Sequence, residues 1–196
     1  KAMRKDIAAA LAKLTREDIK QQSELVLMAA ESLFHNPRHQ HVGVYVSTEG
    51  EVVTDGIIDL LFKMKKDVYI PNFKRGKADM KFVRLTQAEW TAGLPATMWN
   101  IRQHDNVRDE QILSSPLDLI LMPGVAFAAH SDGTIKRLGH GKGYFDRFLH
   151  KHEADYGRLP YLVGLALRDQ FVPEVPIEDH DVSLNQLIFE NRTIGN

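Results

Sequence analysis

Four apolar runs limit what this chain can fold into more than any other feature: residues 41–46, 68–70, 117–122 and 161–166. They lack the strict alternation of a strand with one wet face, so they read as strands buried on both sides under covering helices. Helical patterns lie between them. Ile7, Leu11 and Leu14 share a face, and Thr15 with Asp18 gives a helix restart before Leu25, Met28, Ala29 and Leu33. Asn36-Pro37 ends that stretch. Thr54 or Asp55 can cap a further helix carrying Ile57, Ile58, Leu61 and Met64. Pro71 is expected to stop the second strand, 80–84 alternates as a strand with a wetter face, and 186–189 is the last expected strand. The stretch 86–116 is irregular, with Trp90 and Trp99 among polar residues. Strands alternating with helices predict an α/β fold: one domain over residues 1–196, a three-layer sandwich around a mainly parallel sheet.

Charge narrows the function classes. Lysine plus arginine (25) nearly cancels aspartate plus glutamate (26), so the chain has no general attraction for nucleic acid or acidic membranes, and any anion site must be local. Cysteine is absent, which removes disulfide and thiolate chemistry and fits a reducing compartment. No apolar run approaches the roughly 20 residues of a membrane span. The nine histidines show no zinc-type spacing; His150 and His152 are two apart and share no helix face. A monomer acting on small molecules in the cytoplasm is expected. The chain opens on Lys1 rather than methionine, so a removed upstream targeting segment, and with it a mitochondrial address, stays open as the alternative.

The local anion site is Arg137-Leu138-Gly139-His140-Gly141-Lys142-Gly143-Tyr144-Phe145-Asp146. Alternate glycines let backbone N–H groups approach a guest without Cβ atoms between them. Arg137 and Lys142 add positive charge, and Tyr144, Phe148 and Leu149 fall at helical spacing, so a helix N-terminus adds to the attraction for phosphate. The run is no Walker A loop, since glycine follows Lys142, and no dinucleotide fingerprint, since its spacing differs and no strand is expected to run directly into it. A plain helix-capping turn is the competing reading, but a cap needs one glycine and no cluster of cations. In a parallel sheet, ligands collect beyond the carboxyl ends of the strands. Three polar segments leave apolar strands there: 47–51, 123–142 and the stretch after Ala166.

Pro123-Gly124-Val125-Ala126-Phe127, Arg137-Leu138-Gly139 and Gly141-Lys142-Gly143-Tyr144-Phe145-Asp146 together resemble the signature of 5-formyltetrahydrofolate cyclo-ligase, also called methenyltetrahydrofolate synthetase. Matches in the same order extend over most of the chain: Arg4, Tyr45-Val46-Ser47, Glu51-Val52, Thr54, Ile70-Pro71, Trp99-Asn100-Ile101, Pro176 and Asp181. The resemblance implies a fold like that of the sugar-phosphate isomerase and CoA-transferase group. It implies closure of 5-formyltetrahydrofolate to 5,10-methenyltetrahydrofolate, driven by ATP and magnesium through an N5-iminium phosphate. By the same likeness Arg4 and residues Arg137, Leu138, Gly139, His140, Gly141, Lys142, Gly143, Tyr144 and Phe145 would hold ATP, with Arg137, Lys142 and Tyr144 catalytic. Val46, Glu51, Trp99 and His140 through Tyr144 would meet the folate, and Asp146 and Asp181 the magnesium.

Three departures from the family pattern stand out. Ala128 replaces a usual aspartate, the connection 128–136 is long, and His140 stands where arginine or a small residue is common. Asp132 could restore the lost carboxylate by folding back. A non-catalytic folate- or nucleotide-binding paralogue is the alternative these departures suggest. An isomerase or acyl-CoA transferase of like architecture would need a catalytic glutamate in a different loop.

Overall fold

In a computed structural model, which describes residues 1–195, the apolar runs become the centre of one sheet. Its strands are β1 (His41–Val44), β2 (Asp67–Phe73), β3 (Met80–Leu85), β4 (Leu119–Met122), β7 (Tyr161–Ala166), β8 (Gln186–Phe189) and β9 (Arg192–Gly195). A separate two-stranded ribbon, β5 (Ala126–Ala129) with β6 (Ile135–Leu138), leaves the end of β4. The main sheet runs β3-β2-β1-β4-β7-β8-β9. All pairings from β2 to β8 are parallel, and only the outer β3 and β9 are antiparallel.

Helices α1 (Ala2–Leu11), α2 (Arg16–His35), α3 (Asp55–Lys63), α4 (Gln87–Ala92) and α5 (Tyr144–Tyr156) complete the chain. Alternate strand residues serve opposite faces, as the pleat requires. Val42, Val44, Leu119 and Leu121 pack with Val26, Phe34, Ile57 and Leu61 from α2 and α3. Ile120, Met122 and Leu162 pack on the other side with Phe145 and Leu149 of α5 and Phe127 of the ribbon. This is the expected three-layer α/β arrangement. The break between α1 and α2 falls at the foreseen restart: Asp18 N donates to the Thr15 hydroxyl at 3.0 Å, and Thr15 N donates back to Asp18 at 2.8 Å. Asp118 fixes the register of β1 beside β4 by accepting from Gln40 N and His41 N at 3.1 and 2.7 Å. No helix among the described residues is long and apolar enough to cross a membrane.

Several expectations need correction. β2 does not stop at Pro71 but continues to Phe73; β1 pairs only as far as Tyr69, so the proline lies where β3 is its single neighbour, a position that tolerates a missing N–H. Thr54 occupies the N-cap position of α3 without capping it. Its hydroxyl donates to Tyr45 O at 2.7 Å and accepts from Ser47 N at 3.1 Å, shaping the exit of β1 instead. A strand, β6, does run directly into the glycine loop. Asp132 does not fold back: it is exposed and accepts from Thr134 N and Oγ1 at 2.9 and 2.7 Å, closing the β5–β6 turn.

Candidate active site

A cavity of about 930 Å³ opens at the carboxyl ends of the parallel strands, and all three polar exits contribute to it. At the first exit the chain leaves β1 through Tyr45 and Val46, both buried, and turns at Thr48. Thr48 N donates to Glu51 at 2.8 Å, which draws the carboxyl inward. Burial raises Glu51 above the ordinary carboxylate value, with the Thr48 hydrogen bonds pulling the other way. Burial, then the Glu51 charge, pushes the Tyr45 phenol well above its usual value; its hydroxyl donates to Val52 O at 3.3 Å.

The second exit carries the glycine loop. β5 and β6 pair from Ala126↔Leu138 to Ala129↔Ile135, and the ribbon delivers Arg137 to the cavity wall. Arg137 Nη1 donates to Pro123 O at 3.1 Å, Nη2 lies 3.6 Å from Asp146, and the guanidinium stands 5.3 Å from the Phe145 ring centre. Burial lowers its pKa while Asp146 and Asp181 raise it, so two acids share one buried cation. Beyond it Arg4 reaches over from α1, donating to Gly139 O at 2.9 Å. The loop then turns through Gly141 and Gly143 at φ +96° and +66°, a region that suits glycine. Gly143 heads the 13-residue α5 with no side-chain cap, which leaves first-turn N–H groups available to a guest. Lys142 is exposed, and its ammonium lies 5.8 Å from the centre of the Trp99 ring. Partial desolvation against the wall, then the charges of Arg137, Arg4 and Lys142, hold His140 below its ordinary value. Tyr144 meets Phe73 edge-on at 5.1 Å between ring centres.

The third exit, after β7, returns Pro176, Glu178, His180 and Asp181 to the same wall. Asp181 accepts from Glu178 N at 2.8 Å, and Asp146 accepts weakly from Val182 N at 3.4 Å. The two acids named for magnesium therefore flank Arg137 on one cavity wall. Among the described residues no cluster of three or more His, Cys, Asp or Glu could hold an ion alone. Two carboxylates completed by waters and phosphate oxygens suit magnesium, which resists full dehydration.

Every residue named from the sequence lines this one cavity: Arg4, Val46, Glu51, Trp99, the run from Arg137 to Asp146, and Asp181. Reading the residues alone did not find the basic turn Lys74-Arg75-Gly76-Lys77, nor Phe73 and Arg102, which line it too. The basic run was visible, but its arrival at the site depends on β2 continuing past Pro71. Ala128 lies outside the cavity wall, buried with Ile7, Leu138 and Val175 beneath α1. The long 128–136 connection is the outer part of the β5–β6 ribbon and lines none of the cavity; its turn is held by His130 N donating to Thr134 O at 2.8 Å.

The model of the 5-formyltetrahydrofolate cyclo-ligase family matches residues 1–190. The chain is 38% identical to the probable 5-formyltetrahydrofolate cyclo-ligase of Caenorhabditis elegans over 195 residues, covering 98% of this chain and 93% of the relative. It is 33% identical to the 5-formyltetrahydrofolate cyclo-ligase of Mus musculus, covering 97% and 93%. The solved structure of Aquifex aeolicus 5,10-methenyltetrahydrofolate synthetase superposes with a TM-score of 0.74 at 25% identity, covering 98% of this chain and 90% of that one. A match spanning nearly the whole chain, through all three loops that build the cavity, leaves one assignment: this chain belongs to the 5-formyltetrahydrofolate cyclo-ligase family.

Proposed function

We propose that the protein closes 5-formyltetrahydrofolate to 5,10-methenyltetrahydrofolate at the expense of ATP with magnesium, releasing ADP and phosphate. One observation carries this reading. An anion cradle at the uncapped start of α5 and a wall carrying Val46, Trp99 and the half-buried Glu51 line one cavity of about 930 Å³, large enough for two small molecules side by side. The loop amides from Gly139 to Gly143, with Arg4 and Lys142, take the triphosphate. Trp99, Val46 and Glu51 take the pteridine and its aromatic linker.

ATP supplies what the substrate lacks, a leaving group. The formyl oxygen attacks the γ-phosphorus and ADP departs, giving the N5-iminium phosphate. N10 then attacks the formyl carbon, loses its proton, and phosphate leaves with the former carbonyl oxygen. No covalent enzyme intermediate is needed, so the protein's work is alignment and charge stabilisation. Asp146 and Asp181 would hold magnesium, which would supply neutralisation of phosphate charge. Arg137 offsets the negative charge of those two acids. Tyr144, held on Phe73, stands where the two subsites meet.

The test is direct. Purified protein with Mg-ATP and 5-formyltetrahydrofolate accumulates the near-ultraviolet absorbance of the methenyl product. Omission of ATP abolishes the signal. Absence of any increase at micromolar enzyme overturns the proposal, and so does an increase that does not require ATP.

A further inference from the structure

Trp99 stands at the tip of a short hairpin whose geometry is fixed locally. Ala96 and Arg102 bridge its two arms. Thr97 organises the tip: its N donates to Ile101 O at 2.8 Å, its carbonyl accepts from Asn100 N at 2.9 Å, and its hydroxyl accepts from Trp99 N and Ile101 N at 3.3 Å. Asn100 adopts φ +59°, a left-handed turn residue. The indole is about half exposed, so the tip is not held by burial.

The ties to the body lie at the base. Arg102 Nη1 and Nη2 donate to the two oxygens of Asp55 at 3.0 and 2.6 Å, and the guanidinium lies 5.5 Å from the centre of the Trp90 ring. Beside it, Phe73 N donates to Gln103 Oε1 at 3.0 Å while Gln103 Nε2 donates to Phe73 O at 2.9 Å, a side-chain rung added to β2. Asp55 opens α3, the helix that follows the Glu51 loop. Both Arg102 and Asp55 side chains are a third or more exposed, so the pair adds little to stability. A two-pronged, planar fork with a ring beneath it nevertheless sets an orientation.

We propose that Asp55 and Arg102 are positioning residues for Trp99, fixing where the indole stands over the cavity and hence the affinity for the aromatic part of the substrate but not for nucleotide. This rests on the cyclo-ligase reading above. The lever is short but sufficient: Trp99 lies three positions before Arg102, a reach of at most about 10 Å. A tilt of about 10° at the base swings the indole by up to about 1.7 Å, and half that reach still exceeds the roughly 0.5 Å within which a binding group must be held.

The experiment varies each substrate while the other saturates, on wild type, Arg102→Ala, Arg102→Lys, Asp55→Asn, Trp99→Ala and the double variant Trp99→Ala with Arg102→Ala. Arg102→Ala is expected to raise KM for 5-formyltetrahydrofolate about 10-fold with KM for ATP unchanged within about twofold. Asp55→Asn gives the same split from a different element. Arg102→Lys keeps charge but not the fork and gives a smaller rise in the same direction, so a poorly folded alanine variant does not decide the matter. In the Trp99→Ala background the Arg102 change shifts the folate KM by less than about twofold, because the lever then has nothing to place. Equal rises in both KM values, or full additivity with Trp99→Ala, would overturn the anchor while leaving the cyclo-ligase reading intact. A wild-type protein that neither binds nor turns over 5-formyltetrahydrofolate would overturn both.

Discussion

Asp146→Asn separates the role the structure gives this carboxylate, counter-ion to Arg137, from the role proposed for it, magnesium ligand. Asparagine keeps an oxygen for Val182 N, so the substitution removes charge and little else. At the observed 3.6 Å, with an effective dielectric of about 20, the Arg137–Asp146 attraction is about 4.6 kcal/mol. Two effects reduce the loss. Asp181 still faces Arg137, and removing a partly buried carboxylate relieves its own desolvation. A net destabilisation of about 2 kcal/mol remains, which for a chain of this size lowers Tm by about 4–8 °C. The assay is a thermal melt with and without Mg-ADP. Ligand at 100 times Kd should stabilise the wild type by about 2.7 kcal/mol. The asparagine variant should lose most of the magnesium-dependent part of that gain. A drop below about 0.5 kcal/mol without ligand would refute the buried-pair reasoning. An undiminished magnesium response would remove Asp146 from the metal site, whatever happens to stability.

Three further tests address the cradle, the acid wall and the sheet register. Lys142→Ala should lower turnover about 100-fold or more and weaken ATP, with Tm nearly unchanged because the side chain is exposed; unfolding as its chief effect would make the loop structural. Glu51→Gln should weaken folate binding yet stabilise the apoprotein at neutral pH. Burial raises Glu51, so its uncharged form is favoured in the fold and stability falls as pH rises from the ordinary value near 4.5 through the raised one; melts across this range should show the variant's advantage vanishing at low pH. Asp118→Asn should cost about 1–2 kcal/mol at neutral pH. Burial opposes ionisation there, but hydrogen bonds from His41, Arg158 and Gln40 win and hold the carboxyl below 3.8, so its contribution is present above that value and lost as pH falls through the lowered one. A Tm gap that persists undiminished in acid would contradict this.

The parts of the structure legible in the sequence are those set by neighbours along the chain. Residues 161–166 and 186–189 are strands at the expected positions because buried parallel strands need continuous apolar runs, and these have them. The Thr15–Asp18 box is a four-residue pattern and was readable as such. The start of α5 followed from Tyr144, Phe148 and Leu149 together with the glycines before them. What escaped depends on partners remote in sequence. β5 and β6 each span only four residues, the first mostly alanine and the second half cationic, and they exist because they pair with each other over a closed turn. β2 passes through Pro71 because β1 ends its pairing two residues earlier, which no rule about proline alone could supply.

The same distinction governs the site. Glycine spacing and the cations at 137 and 142 mark an anion cradle locally, and those residues do share a cavity. The environment of each cation is another matter. Arg137 is buried with Asp146 and Asp181 as counter-ions and Pro123 O as acceptor, whereas Lys142 is exposed, its ammonium 5.8 Å from the centre of the Trp99 ring. Within the loop the two look interchangeable; in the fold one is buried beside two acids and the other is exposed at the cavity. Trp99, the ring beside it, sits on a hairpin whose base Arg102 ties to Asp55 of α3. Loop chemistry can therefore nominate phosphate-binding residues from sequence, but the division between groups that hold the wall and groups that meet the substrate is written in long-range pairs. Substitutions at Arg137 and Lys142 should for that reason differ in kind, the first moving Tm and the metal response together, the second moving kinetics alone.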